Sequence, residues 1–326
     1  MSEEKKVLDR NLALDAVRAT ESAALAASRF MGLGDEMAAD MAAIEAMRSS
    51  LNKMHINGEI VVGEGEPNDA PMLFDGEKVG LGTGPQIDIA LDALEGTTIT
   101  AKGGNHAVSV MAMTEQGGFL KVPDIHMEKI AVGANLPPGV VDLDASPEEN
   151  LRNLARAKNS DVEDLLVCIL DRPRHEELIE RVRETGARIM LIPDCDVSGV
   201  IASIQPLSGV DIYLGSGGAP EGVLAAAGLY CARGQMQGRL MVRGETEKAK
   251  CRAAGITDFS HKYSLEEMVQ GDVMFAATGV TDGAMLLGVR RFHGGAVTHS
   301  LVMRASSGTV RYIESHHRLP INERSA

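Results

Sequence analysis

The sequence contains no tryptophan, and aromatic residues make up only 3% of its 326 positions. Stacking of bases or sugar rings on aromatic faces is therefore excluded as the main binding device. Basic blocks are missing too, and the formal net charge is -14. A protein that neutralises nucleic-acid phosphates needs a basic face, so that class is excluded as well. No apolar run approaches the roughly 18 residues of a membrane span, and the opening MSEEKK lacks the apolar core of a signal peptide. The four cysteines, Cys168, Cys195, Cys231 and Cys251, show no CxxC spacing and sit in or beside apolar segments, as free thiols in a reducing compartment do. The expectation is a cytoplasmic protein that binds neither nucleic acid nor membrane. Small phosphorylated molecules remain possible ligands, because a few arginines, helix N-termini and metals hold them inside an otherwise acidic protein.

What is present is 44% hydrophobic residues, enough for two moderate cores. The stretch QIDIALDALEGTT, residues 86–98, organises the rest. Residues 86–92 alternate as a half-buried strand, with Gln86, Asp88, Ala90 and Asp92 on one face. It ends in a turn that crowds Asp92, Glu95, Gly96, Thr97 and Thr98 together. Carboxylates so close repel one another unless a positive charge sits among them, and hard divalent cations prefer such oxygen donors. A second acidic strand end, EIVVGEGEPNDAPML, carries Glu64, Glu66 and Asp69. Asp40 lies in the first turns of a helix expected over residues 36–54, where a negative charge also favours the helix dipole.

The rhythm changes near residue 146. Strands expected at 165–170, 188–192 and 210–214 alternate with helices, which indicates a parallel sheet whose ligands collect at the strand carboxyl ends. Three loops lie there: DRPRH, PDCDV and GSGGAPEG. Arg172 and Arg174 offer forked donors for a phosphate, Asp194 and Asp196 can accept from sugar hydroxyls, and the glycines let backbone N–H groups approach an anion. The glycine loop has neither the dinucleotide-binding nor the P-loop spacing. Strands at 273–277, 296–304 and 309–313 close the sheet, and His316 and His317 read as a surface tail.

These segments, with TESAALAASRFMG, GEGE, APML, GEKVG, DIALD, LEGTT, MEKIAVG, RPRH, GGAPEGVLAAA and FAATGVTDG, resemble the class II fructose-1,6-bisphosphatases over nearly the whole chain. That family is the bacterial branch of the lithium-sensitive, metal-dependent sugar phosphatases. The resemblance implies an α/β fold layered α/β/α/β/α, with a mixed N-terminal sheet in a metal-binding domain at 1–145. It also implies a mostly parallel C-terminal sheet in a sugar-phosphate-binding domain at 146–318, and a tail at 319–326. A homodimer or homotetramer is implied, as is hydrolysis of the 1-phosphate of fructose 1,6-bisphosphate with two or three Mn²⁺ or Mg²⁺ ions. Carried over by position, the metal ligands fall on Asp40, Glu64, Asp92, Glu95 and Glu221. The substrate contacts fall on Glu95, Gly96, Thr97, His126, Arg172, Pro173, Arg174, Asp194, Cys195, Asp196 and Gly218, with Thr97 positioning the phosphate or relaying a proton.

Several positions depart from the family pattern. Ala93 replaces a proline, His126 a tyrosine, and Cys195 the glycine of D-G-D, while Glu36 and Met37 stand where a lysine is expected. Asn68 replaces an aspartate that works on the attacking water; an amide is no base, and Asp69 beside it is the candidate substitute. Two alternatives follow: a paralogue acting on another sugar bisphosphate such as sedoheptulose 1,7-bisphosphate, or a weakly active or inactive regulatory protein that binds metal and sugar phosphate.

Overall fold

The computed structural model describes residues 8–65 and 72–318. Its first elements are α1 (Leu12–Ala27), α2 (Glu36–Leu51), β1 (Asn57–Val62), β2 (Lys78–Val79), β3 (Gln86–Glu95), α3 (Thr97–Lys102) and β4 (Val108–Glu115). The chain continues through β5 (His126–Val132), α4 (Pro147–Lys158), β6 (Leu166–Leu170), α5 (Glu176–Glu184), β7 (Arg188–Ile192), α6 (Asp196–Ala202), β8 (Ile212–Gly218) and α7 (Ala219–Ala232). It closes with β9 (Gln235–Leu240), α8 (Gly244–Ala253), β10 (Lys262–Ser264), α9 (Leu265–Met268), β11 (Met274–Gly279), β12 (Arg290–Phe292), β13 (Gly295–Arg304) and β14 (Thr309–Arg318). Among the described residues the fold is mixed α/β, with two sheets and nine α-helices.

The described residues form two compact units. One takes the chain up to Phe119 together with Gln270–Asp282 and Leu286 onward; the other takes Leu120–Val269 with Gly283–Met285. The residue 145/146 boundary expected from the sequence falls inside the second unit.

The first unit is built on the eight-stranded sheet β12-β13-β11-β4-β3-β1-β2, with β14 paired to β13. Its centre is β3, parallel to β1 and antiparallel to β4. Flanked on both edges and packed by α1 and α2, β3 is buried on both faces and not on one: Asp88, expected on a polar face, is 3% exposed. Its carboxylate is satisfied there by the Gly117 N–H at 2.7 Å. Alanines line the buried stripe of α1, which lets that helix lie close against β4, β11 and β13.

The strands β11, β13 and β14 join this sheet and not the C-terminal one expected from their position in the chain. Pairing is decided by complementary surfaces and not by sequence distance. His316 and His317 belong to β14 and not to a tail, and the His317 Nε2 lies 2.8 Å from the Thr298 hydroxyl. Residues 319–326 lie outside the described residues.

The second unit is built on the six-stranded sheet β10-β9-β5-β8-β6-β7. It is less parallel than expected: β6 pairs in parallel with β7 and β8, whereas β5 is antiparallel to β8 and β9, and β9 to β10. The difference comes from β5, which falls within the N-terminal domain expected at 1–145 and inserts here between β8 and β9. Side chains alternate across β5. Ile130 and Val132 join Leu151 and Leu154 of α4 and Ile179 and Val182 of α5 in one core, while Met127 and Lys129 face the opposite side, where α7 packs. Helix α4 starts as its sequence dictates, with the Ser146 hydroxyl accepting from the Glu149 N–H at 3.2 Å and Pro147 in the first turn.

Candidate active site

In the first unit, the turn after β3 is shaped by a break in register between Asp92 and Glu95 on the β4 side. Gly96 follows at φ 99°, a left-handed conformation that admits glycine without strain, and α3 starts at once with Thr97. The Leu94 N–H donates to Asp92 Oδ1 at 3.0 Å. The Ala93 N–H donates to Glu64 Oε1 at 2.9 Å, which ties the start of the loop after β1 to this turn across 29 residues. Here Ala93 has an N–H to give, where proline would have none.

The base of that loop is closed by backbone bonds, Glu64 N–H to Leu73 O and Asp75 N–H to Gly65 O, each 3.0 Å, and by the Gly63 N–H to Asp75 Oδ1 at 2.8 Å. Buried Glu77 anchors it from below, accepting from the Leu73 N–H and from Arg48 Nε at 2.5 Å. Glu95 is 5% exposed. Asp40 is carried on α2, which packs on α3 and β3, and burial raises its carboxyl above the usual range. The structure thus joins Glu64 to the Asp92–Glu95 turn. Asn68 and Asp69 lie outside the described residues.

In the second unit the expected ligand loops gather at one edge of the sheet. The parallel strands β6, β7 and β8 end there in residues 171–175, 193–196 and Gly218, and antiparallel β5 begins there, with His126 opposite Gly218. Arg172 and Asp194 form an exposed ion pair at 3.4 Å. Arg174 turns to β8, donating to Ser216 O through Nη2 at 2.7 Å. His175 locks this loop, with Nδ1 2.8 Å from Leu170 O and Nε2 2.9 Å from the Ser216 N, which must donate to it. Burial, then Arg174, keeps its pKa below the usual histidine value, in line with a neutral ring whose Nδ1–H donates to Leu170. Burial, then Arg174, Arg243 and Lys129, likewise lower His126. Cys195 adopts φ 69°, so the position that carries glycine in D-G-D does require the left-handed region, and here a buried thiol side chain occupies it.

Glu221, in the first turn of α7, has the most unusual environment. Burial, then the neighbouring Asp196, raises its pKa, while Lys129 opposes the rise. Its Oε2 is buried and makes no hydrogen bond among the described residues. A Cβ at Gly218 would overlap that oxygen, so the carboxylate lies directly over the strand end. A partnerless buried carboxylate oxygen costs free energy unless a cation meets it. The donor sets in both units consist of carboxylate oxygens, which fits a hard divalent ion. Among the described residues, no group of three or more His, Cys, Asp or Glu side chains is placed to hold a metal ion.

The chain matches a family model described as bacterial fructose-1,6-bisphosphatase, glpX-encoded, over residues 10–317. It is 42% identical to the D-fructose 1,6-bisphosphatase class 2/sedoheptulose 1,7-bisphosphatase of Synechococcus sp. (strain JA-3-3Ab), covering 95% of this chain and 96% of that one. It is 44% identical to the fructose-1,6-bisphosphatase 1 class 2 of Escherichia coli (strain K12), with the same coverage. Among solved structures, the extragenic suppressor protein suhB from Bartonella henselae aligns with 60% of this chain and 74% of its own, at 14% identity and a TM-score of 0.35. The sequence matches define an enzyme, a phosphoric monoester hydrolase. Within that class the chain belongs to the bacterial, glpX-encoded fructose-1,6-bisphosphatase family.

No helix among the described residues is long and apolar enough to cross a membrane. Lys129, within MEKIAVG, is a residue of this candidate site that the sequence pattern alone does not single out. The signal present is that Lys129 is followed directly by the apolar IAV of a strand.

Proposed function

We propose that this protein hydrolyses the 1-phosphate of fructose 1,6-bisphosphate, giving fructose 6-phosphate and phosphate, with Mn²⁺ or Mg²⁺. The observation that carries this reading is the family match over residues 10–317. The tie between Glu64 and the Asp92–Glu95 turn supports it, because it brings two acidic strand ends to one place. Asp40, Glu64, Asp92, Glu95 and Glu221 each serve as a carboxylate ligand for a divalent cation. Bound cations would supply charge neutralisation at the phosphoryl oxygens and activation of the attacking water.

The remaining work falls to the chain's own groups. Thr97, at the start of α3 beside the left-handed Gly96, orients the phosphate with its hydroxyl. Asn68 or Asp69 orients the water, and only Asp69 can also take its proton. Arg172 and Arg174 grip the phosphate that is not cleaved, Asp194 and Asp196 accept from sugar hydroxyls, and His126 and Gly218 border the sugar. The protein works as a homodimer or homotetramer.

The test is phosphate release from fructose 1,6-bisphosphate with Mn²⁺ or Mg²⁺, before and after chelation. Release that stops on chelation and returns with the ion supports the reading. Undiminished release after complete metal removal contradicts it, as does no release with either ion. A second substrate, sedoheptulose 1,7-bisphosphate, is favoured by the double name of the Synechococcus relative and is tested in the same assay.

A further inference from the structure

Lysine is seldom fully buried, because taking an ammonium out of water is costly unless it is paired. Lys129 lies in the middle of β5, opposite Gly215 of β8 and Gly238 of β9, and its side chain has no exposed surface. Its Nζ meets Asp196 Oδ2 at 2.5 Å, and Asp196 is itself only 6% exposed. The space they occupy is kept open by glycines. A Cβ at Gly217 would overlap the Asp196 carboxylate, and one at Gly222, a turn into α7, would press at 3.2 Å on Lys129 Cε. Glu221 feels both groups, repelled by Asp196 and attracted by Lys129. One ammonium therefore pairs with one buried carboxylate and attracts a second, and the proposed reaction leaves it no direct part.

We infer that Lys129 is a positioning residue for the sugar site. Its ammonium holds Asp196 Oδ2 and so presents the other carboxylate oxygen, Oδ1, to a substrate hydroxyl, while offsetting one of the two negative charges shared by Asp196 and Glu221. This rests on the reading of Asp196 as a sugar contact. Lys129 touches no substrate and acts through Asp196, so its loss weakens sugar binding and leaves the carboxylate donors for a cation in place. Without the ammonium, Asp196 turns away from Glu221 and its oxygens lose their fixed direction.

The experiment measures the Kd for fructose 6-phosphate and, separately, for Mn²⁺ by calorimetry on the intact protein, and KM and kcat with fructose 1,6-bisphosphate. Lys129→Met is expected to raise both the sugar-phosphate Kd and KM by about tenfold or more, the usual scale for losing a charge-assisted hydrogen bond. Mn²⁺ affinity is expected to be retained or tightened. Asp196→Asn should weaken sugar binding similarly, and the double variant should be no worse than either single one, because both changes remove the same interaction. Gly217→Ala, which displaces Asp196 sterically and alters neither charge, should reproduce the rise and serves where Lys129→Met does not fold.

Additive losses in the double variant, or a Kd within about twofold of wild type in Lys129→Met, would overturn the inference. So would an equal loss of Mn²⁺ and sugar binding in Gly217→Ala. A wild-type protein that binds fructose 6-phosphate without turning over the bisphosphate defeats the hydrolytic reading alone. One that binds no sugar phosphate defeats both.

Discussion

Glu64 and Asp92, in the first unit, accept hydrogen bonds from main-chain amides of a single turn, whereas Asp196 in the second takes the ammonium of a buried lysine. An amide orients a carboxylate with a partial charge and leaves the full negative charge in place; an ammonium orients it and cancels the charge. The first arrangement suits groups that must attract a cation, and the second suits a group that must accept a hydrogen bond from a neutral hydroxyl. Glu221 stands between the two cases, near the same lysine but with one oxygen unbonded among the described residues. Under the proposed function, these two ways of holding acid would go with two kinds of ligand.

Four measurements sharpen or break that comparison. The largest effect is expected from Glu64→Gln, which keeps a carbonyl for the Ala93 N–H but removes the charge. The kcat with Mn²⁺ should fall by roughly 10²- to 10³-fold with little change in melting temperature, and a fall under threefold would mean that this carboxylate is no cation ligand. Next is Gly218→Ala, whose methyl meets Glu221 Oε2. Displacement of a ligand by about an ångström should cost roughly 10- to 100-fold in Mn²⁺ affinity, and calorimetry that finds unchanged affinity would separate Glu221 from the cation.

A smaller effect is expected at Cys195. In the left-handed region a side chain costs roughly 1 kcal/mol, so Cys195→Gly should be about that much more stable than Cys195→Ala, the reverse of the usual order. Urea denaturation of the pair reads this directly, and a less stable glycine variant would show that φ is unstrained.

The smallest lies on the surface at Glu148, where the two-pronged bond from Arg181 pulls the carboxyl from 4.5 down to about 2. A lowered folded-state pKa gives stability that is present above the unfolded value and lost as pH falls through the folded one. Glu148→Gln should therefore destabilise by about 0.5 kcal/mol at pH 7, after allowance for solvent screening, and by nothing near pH 2. A penalty that persists near pH 2 would assign the effect to packing.

Local chemistry made much of this readable from residues alone. Ser146 announces α4, and residues 188–192, an apolar run between a helix and a proline, are strand β7. The acidic turn at Asp92 and the loops after β6, β7 and β8 were also legible, because a strand that stops in carboxylates or glycines has few structural uses. The partner of a strand was not legible. Nothing within residues 126–132 says that β5 pairs with strands about eighty to more than a hundred residues further on, and nothing in residues 295–318 says that β13 and β14 return to the sheet that β3 began. Lys129 escaped for a related reason: its meaning lies in Asp196, Gly217 and Gly222, none of them near it in the chain. The demand for a left-handed residue at Cys195 was visible only through the pattern from which it departs.

The sheet that holds β3 pairs strands that lie far apart in the chain, and this bears on synthesis. As the ribosome delivers the chain from its N-terminus, β4 has no β11 beside it until residues 274–279 emerge, and β11 then waits for β13. The stretch from Leu120 to Val269 is complete before either arrives. The half that carries Arg174 and Lys129 can therefore take shape during translation, while the half that carries Asp92 must wait, its apolar strand edge bare, until β11 and β13 have been made.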